Sequence, residues 1–229
     1  MKRALFKESS EGVMALRGLF LYGAKCDQSI WERMKESLSS LDIDYISYPH
    51  EVLQEARDIS DVAKWVYESY GYRDYNFIVG HSMGGQIALK LVSSYAMQPT
   101  RIILVESNPK PSGSFYRNLM TEKHMKQYGE PISRMFQNES AFYNRELLSS
   151  LRDDYDLTSC IRTYHGTIYS VYGDRGQPKY EDRINDLYLP PDIIKMMKII
   201  FIKDAGHLPM IENPSALCTV ICSIVTGRL

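Results

Sequence analysis

The chain has 229 residues, 44% of them hydrophobic, which is long enough for one large domain with a substantial core and short for two. Its 27 Lys and Arg residues nearly balance its 28 Asp and Glu residues, so the formal net charge is −1. Because this balance creates no strong positive field, it argues against a protein that binds nucleic acid or an acidic membrane surface.

The apolar stretches of the sequence are all short. None reaches the length of a signal peptide core or of a membrane span, so we expect a cytoplasmic protein. The cysteines, Cys26, Cys160, Cys218 and Cys222, form no Cys-x-x-Cys pair and do not cluster with histidines. This spacing predicts neither a zinc site nor a disulfide scaffold.

The first third of the chain alternates between strand-like and helix-like patterns. Residues 13–17 and 19–22 are short β-rich runs separated by Gly18, and a glycine turn follows at residues 23–25. Apolar residues then recur at helical spacing over residues 30–41. A strand over residues 42–48 and a helix over Ile59–Tyr70, ended by Gly71, complete this part.

The next stretch is a short apolar run, residues 76–79, that leads into Gly80-His81-Ser82-Met83-Gly84-Gly85 and then a helical pattern. A Gly-x-Ser-x-Gly turn between strand and helix holds its serine in strained backbone geometry, and Gly80 and Gly84 let the two segments pass closely. The helix that begins at Met83 directs unpaired N–H groups at any negative charge that develops beside Ser82. The context predicts a serine nucleophile.

The segment Gly80 to Gly85 resembles the nucleophile elbow of the α/β-hydrolase family. In that family the loop after an early strand supplies a backbone N–H to the oxyanion hole, and the matching loop here is Tyr22-Gly23-Ala24. The resemblance therefore implies the N–H groups of Ala24 and Met83 as oxyanion donors. Tyr22 stands where the family usually has histidine, which leaves the backbone donor in place.

Residues 101–105 form a near-continuous apolar run, as expected of a parallel strand buried on both faces. Repeated alternation of strand and helix predicts parallel pairing with helical crossovers. Residues 108–165 interrupt this pattern with proline, aromatic residues and methionine, and by position they match the family's lid insertion. We expect most of these apolar side chains to dock the insertion and a few to reach the pocket.

The last part of the chain returns to the alternating pattern. A strand over residues 167–172 stops at Gly173-Asp174, helical stretches over residues 180–187 and 191–197 follow, and a strand over residues 199–202 leads to Gly206-His207. A closing apolar helix follows residues 212–214. These boundaries place Asp174 and His207 just after strands.

A serine hydroxyl needs a neutral imidazole as its base, and a carboxylate to orient that imidazole. In this architecture the order along the chain is Ser, then Asp or Glu, then His. Of the histidines His50, His81, His124, His165 and His207, only His207 follows both a late strand and the candidate acids. Its surroundings also resemble the family's histidine loop.

Three carboxylates compete to orient His207. Asp174 follows a strand at the position that the family uses, and we rank it first. Glu106 ends the preceding strand and serves as the acid in some relatives, so it ranks second. Asp204 lies where the last strand turns into the loop that holds His207, so we expect it to brace that loop.

Together these features predict an α/β protein with the α/β-hydrolase fold: a single domain over residues 1–229, a mostly parallel sheet flanked by helices, and a small helical lid at residues 108–165. The resemblance implies a serine hydrolase that cleaves a small or medium ester or thioester through an acyl-enzyme, with no metal or cofactor. C–C hydrolase or lyase chemistry on the same triad, and ligand binding without turnover, are the alternatives. The leaving group and the oligomeric state stay open.

Overall fold

A computed structural model describes residues 15–152 and 155–229 of the chain. Six strands form one sheet in this structure: β1 (Arg17–Leu21), β2 (Asp42–Tyr45), β3 (Phe77–His81), β4 (Arg101–Val105), β5 (Thr167–Gly173) and β6 (Met197–Ile202). They lie in the order β2-β1-β3-β4-β5-β6, and every neighbouring pair is parallel. The predicted parallel sheet is confirmed.

The helices cover both faces of this sheet, because each crossover between parallel strands must return over the sheet. They are α1 (His50–Glu55), α2 (Ile59–Tyr70), α3 (Met83–Ser94), α4 (Glu122–Ser140), α5 (Arg145–Ser150), α6 (Thr158–Thr163), α7 (Pro191–Lys195), α8 (Pro209–Glu212) and α9 (Pro214–Val225). The central strands are buried along their length, as the apolar runs predict.

The start of the sheet differs from the prediction at Gly18. The structure has one strand, β1, that runs through Gly18, whereas the predicted residues Val13 and Met14 lie outside the described residues. A side chain at Gly18 would overlap the ring of Phe77 on the neighbouring strand β3. Gly18 therefore makes room for an aromatic ring and does not break the strand.

The helix predicted over residues 30–41 is a 3₁₀ helix over Gln28–Met34. Asp27 caps it by accepting the N–H of Ser29 at 2.7 Å, and Ile30, Trp31 and Met34 are buried. Side chains three residues apart share one face in both kinds of helix, so the apolar spacing alone does not distinguish them. The helix predicted over Ile59–Tyr70 is confirmed, with Gly71 at its end.

The segment between β4 and β5 is the longest connection in the described part of the chain. It holds a short 3₁₀ helix over Ser114–Arg117, then α4, α5 and α6. Helix α6 packs against α3 and so serves as the crossover helix, while α4 and α5 are additional. The helical content expected for residues 108–165 is thus present.

The turn from β3 into α3 depends on close backbone approach. A side chain at Gly80 would place its Cβ 2.5 Å from the backbone carbon of Gly84, and one at Gly84 would overlap the carbonyl oxygen of Leu21 in β1. Only glycine lets the first turn of α3 lie directly on the sheet at these positions.

None of the helices in the described ranges is both long enough and apolar enough to cross a bilayer.

We expect Gly84→Ala to lower the free energy of unfolding by ~1–3 kcal/mol, because the added methyl group overlaps fixed backbone. Equilibrium unfolding in urea measures this change. Gly129→Ala is the matched control, since its Cβ would meet only the flexible end of Met125, at 3.2 Å, within helix α4. A Gly84→Ala protein as stable as the native chain would contradict the packing argument.

Candidate active site

The parallel sheet brings the predicted site residues to one edge. Ser82 follows β3, Glu106 follows β4, Asp174 follows β5 and His207 follows β6, all at the carboxyl ends of their strands. Open parallel sheets bind their ligands at this edge. Because β4 lies next to β3, Glu106 is closer in the sheet to the serine strand than Asp174 is.

Ser82 occupies the strained turn that its flanking glycines predict. Its backbone has φ 51° and ψ −119°, a conformation that residues other than glycine adopt rarely. Its N–H donates to the carbonyl oxygen of Val105 at 3.0 Å, and its own carbonyl oxygen accepts the hydroxyl of Ser107 at 2.7 Å. The neighbouring strand β4 and the residues after it therefore hold the turn.

Ser82 and His207 open into the same cavity, which has a volume of about 100 Å³. Among the described residues, Met83, Gln86, Glu106, Ser107, Asn108, Leu151 and Tyr155 also line it. The side chains of Ser82 and His207 form no direct hydrogen bond in the described structure. Such contacts often close only when substrate is bound.

The loop predicted to hold the second oxyanion donor lies against the serine. A Cβ at Gly23 would be 2.8 Å from Cβ of Ser82 and 2.9 Å from Nδ1 of His81, so only glycine fits there. Ala24 is the next residue in this loop. The Tyr22 hydroxyl accepts the N–H of Tyr48 at 2.9 Å and so anchors the loop to the segment after β2.

The carboxylate that contacts His207 in the described structure is that of Glu106. Its Oε2 lies 3.4 Å from Nδ1 of His207. Asp174, the first choice from the sequence, instead accepts the N–H groups of Gly176 and Asp204 on one oxygen, at 2.8 and 2.7 Å. In this structure Asp174 therefore joins the loops after β5 and β6, and the second-ranked candidate, Glu106, contacts the histidine.

Asp204 also has another partner. Its carboxylate pairs with Lys123 at 2.7 Å on the protein surface and not with His207.

Glu106 is buried and paired with a cation. Its side chain is 1% exposed, and its two oxygens accept Nη1 and Nη2 of Arg175 at 2.7 and 2.6 Å. The N–H of Gly173 donates to the same carboxylate. Burial by itself would raise the pKa of Glu106, but Arg175 and the hydrogen bonds from Arg175 and His207 outweigh it and hold the pKa below the ordinary value. Glu106 is therefore ionised.

His81, next to the serine in sequence, supports the histidine loop. Its Nε2 donates to the carbonyl oxygen of His207 at 2.9 Å, and the two rings lie 4.9 Å apart between centroids. Burial and the neighbouring His207 together lower the pKa of His81 well below its ordinary value, although the hydrogen bond opposes them. His81 is thus a neutral donor, a role that the sequence did not indicate.

A second buried carboxylate shapes the same loop from the other side. Glu212 accepts the N–H groups of Gly206 and Leu208 on Oε1, at 2.8 and 3.2 Å. Its Oε2 accepts the N–H of Thr121 at 3.0 Å and lies 3.2 Å from Nδ1 of His124. The loop around His207 is thereby tied to the start of helix α4.

A larger cavity, of about 560 Å³, lies at the opposite edge of the sheet. Its lining includes Asn76 and Thr100, which precede β3 and β4, and none of the predicted site residues. We therefore place the candidate site at the smaller cavity. Across residues 15–152 and 155–229, the His, Cys, Asp and Glu side chains form no group of three that could hold a metal ion.

The fold is similar to that of several solved esterases. A thermophilic esterase from Thermogutta terrifontis matches with a TM-score of 0.72 and 17% identity, over 93% of this chain and 90% of that chain. The esterase RhEst1 from Rhodococcus sp. ECU1013 matches with a TM-score of 0.70 and 11% identity, over 93% and 91%. The carboxylesterase CesB from Bacillus subtilis matches with a TM-score of 0.65 and 13% identity, over 94% and 85%.

Among curated proteins, no sequence matches the chain. A model of the alpha/beta hydrolase family matches residues 37–220. Because this match spans well over half of the chain, the protein belongs to the alpha/beta hydrolase family of enzymes, the family that its sequence resembles.

Proposed function

We propose that the protein is a serine hydrolase that cleaves a carboxylic ester or thioester with a short acyl group. The observation that carries the proposal is the position of His207, which shares a cavity with Ser82 and has the Glu106 carboxylate beside its Nδ1. Ser82 is the nucleophile, His207 the general base and then acid, and Glu106 the orienting carboxylate.

The first step is the attack of Ser82 on the carbonyl carbon. Nε2 of His207 takes the hydroxyl proton, since the Glu106 carboxylate faces Nδ1 and selects the tautomer that carries its proton there. The negative charge of Glu106 also stabilises the imidazolium that forms. The same proton is then given to the leaving oxygen or sulfur.

The negative charge that develops on the carbonyl oxygen needs fixed donors. Met83 is the first residue of helix α3, so its N–H has no partner within the helix. Ala24 follows Gly23, which lies against Ser82. The backbone N–H groups of Met83 and Ala24 are therefore the proposed donors. Removing one such donor typically costs ~2.7–4 kcal/mol of transition-state stabilisation. Water then repeats the sequence of proton transfers on the acyl-enzyme and releases the acid.

The size of the cavity favours a short acyl group. The cavity at Ser82 has a volume of about 100 Å³, and a second cavity of about 450 Å³ shares Asn108, Leu151 and Tyr155 with its lining. Leu151, directly after α5, and Tyr155 contribute to its lining. The insertion over residues 108–165 is therefore the proposed lid, and Leu151 limits the acyl chain.

A fluorophosphonate tests the nucleophile without knowledge of the substrate. We expect one adduct on the native chain, measured by intact mass, and none on Ser82→Ala, because only an activated serine hydroxyl reacts. His207→Ala should label at a small fraction of the native rate. An unlabelled native chain would favour a ligand-binding protein without turnover, and labelling of Ser82→Ala would refute the assignment.

The carboxylate is tested by paired amide substitutions. We expect Glu106→Gln to lower kcat by a factor on the order of 10²–10⁴, because an amide no longer stabilises the imidazolium. Asp174→Asn should stay within about tenfold of native, since the amide oxygen still accepts both N–H groups. Steady-state kinetics on one small ester measures both. The reverse ranking would return the role to Asp174.

The acyl preference is tested with nitrophenyl esters of increasing chain length. We expect kcat/KM for acetyl to butyryl esters to exceed that for the octanoyl ester by about tenfold or more, because added methylene groups do not fit. Leu151→Ala should move the optimum toward longer chains. A native preference for the octanoyl ester would contradict the size argument, and thioesters with the same acyl chains would identify the preferred leaving group.

A further inference from the structure

The carboxylate that faces His207 has a second, closer partner. Arg175 binds Glu106 through two parallel hydrogen bonds, at 2.7 and 2.6 Å, and the two side chains are 2% and 1% exposed. Bidentate geometry of this kind fixes the plane of a carboxylate as well as its charge. Nothing in the chemistry of a serine nucleophile by itself requires such a cation.

The guanidinium is itself held on several sides. It lies 5.0 Å from the ring centroid of Phe115 and 5.4 Å from that of Tyr116, and Nη1 also donates to the carbonyl oxygen of Gly173 at 2.6 Å. The backbone of Arg175 has φ 55°, which is unusual for a residue with a side chain. Its N–H donates to the carbonyl oxygen of Ala205 at 2.8 Å.

Asp174 contributes to the same turn. Its carboxylate accepts the N–H of Gly176, which lies just beyond Arg175, and the N–H of Asp204 in the next loop. Asp174, directly before Arg175, is therefore hydrogen-bonded to Gly176, directly after it, and this contact fixes the turn. This geometry directs the arginine inward, although neighbouring residues of the turn reach the surface.

Arg175 and His207 share one oxygen of the carboxylate. Nη2 of Arg175 lies 2.6 Å from Oε2 of Glu106, and Nδ1 of His207 lies 3.4 Å from the same atom. We propose that Arg175 is a positioning residue of the proposed triad, which keeps the Glu106 carboxylate ionised in the protein interior and aims Oε2 at His207. This inference rests on the proposed function.

The proposal predicts a direction for the pH dependence. Without Arg175, burial raises the pKa of Glu106. A Glu106 that has become neutral no longer orients His207 or stabilises its charge, so activity is lost as the pH falls through the pKa of Glu106. Loss of the arginine therefore moves the acid limb of the profile to higher pH.

The other ionisable groups around this cluster are His81 from β3, Tyr116 from the insertion, Tyr172 from β5, and the pair of Glu212 and His124 behind the histidine loop. Burial lowers the pKa of His81 and raises the pKa of both tyrosines, so these three stay neutral near physiological pH. The Glu212 carboxylate is engaged by Gly206, Leu208 and Thr121. The variants below leave all of these groups in place.

The experiment measures the rate of fluorophosphonate labelling at Ser82 as a function of pH, which requires no known substrate. In Arg175→Met we expect the midpoint of the acid limb to rise by about one pH unit or more, the size of effect that a neighbouring charge produces. A merely structural role would lower the rate at every pH and leave the midpoint unchanged.

Two variants serve as controls. Arg175→Lys keeps the charge but not the paired hydrogen bonds. We therefore expect the midpoint of its acid limb to lie within about half a pH unit of native, and its maximal labelling rate to fall by no more than about fivefold. Arg183→Met removes an exposed arginine that lies 5.8 Å from the same Phe115 ring but pairs with Asp186. It should give the native profile, and thermal unfolding checks that each variant is folded.

The possible results separate the two proposals. If the native chain does not label, the proposed function fails. If the native chain labels and Glu106→Gln slows labelling, but a folded Arg175→Met gives the native midpoint, only the role of Arg175 is overturned. Should Arg175→Met not fold, Arg175→Gln replaces it as the uncharged variant: a raised midpoint supports the proposal, and the native midpoint overturns it.

Discussion

The site depends on the direct contact between the first turn of helix α3 and the backbone of strand β1. Gly84 lies against the carbonyl oxygen of Leu21, and Gly80 lies against Gly84. No side chain separates these segments, so the chain must turn sharply at Ser82, where φ is 51°. The strain is maintained because the surrounding sheet is fully packed, and the result is a hydroxyl at the edge of the sheet beside the start of a helix.

Around that turn, buried carboxylates are paired with a cation or with backbone N–H donors. Glu106 is ionised although it is buried, because Arg175 and several N–H groups compensate for the lost hydration. The loop of His207 is held by His81 on one side and by Glu212 on the other. Each of these contacts fixes a donor or acceptor in advance, which is the arrangement that the proposed catalysis requires.

The two acidic candidates show why the sequence alone left more than one candidate for the carboxylate beside His207. Asp174 and Glu106 each follow a buried strand, and both strand ends reach the same edge of the sheet. What separates them is the hydrogen bonding of the folded loops: one oxygen of the Asp174 carboxylate accepts the N–H groups of Gly176 and Asp204, while Glu106 contacts His207. These partners lie up to 101 residues apart along the chain, so no local pattern records them.

The sequence by itself determined the parallel sheet, the helix over Ile59–Tyr70, the strand over Arg101–Val105 and the turn at Ser82. These features follow from apolar periodicity and from the steric need for glycine, which are local properties of the chain. Only the tertiary structure decided that Gly18 continues β1, that Glu106 faces His207, and that Arg175 and His81 support them. Those outcomes depend on which side chains from distant segments meet, and on how their charges and hydrogen bonds are satisfied once water is excluded.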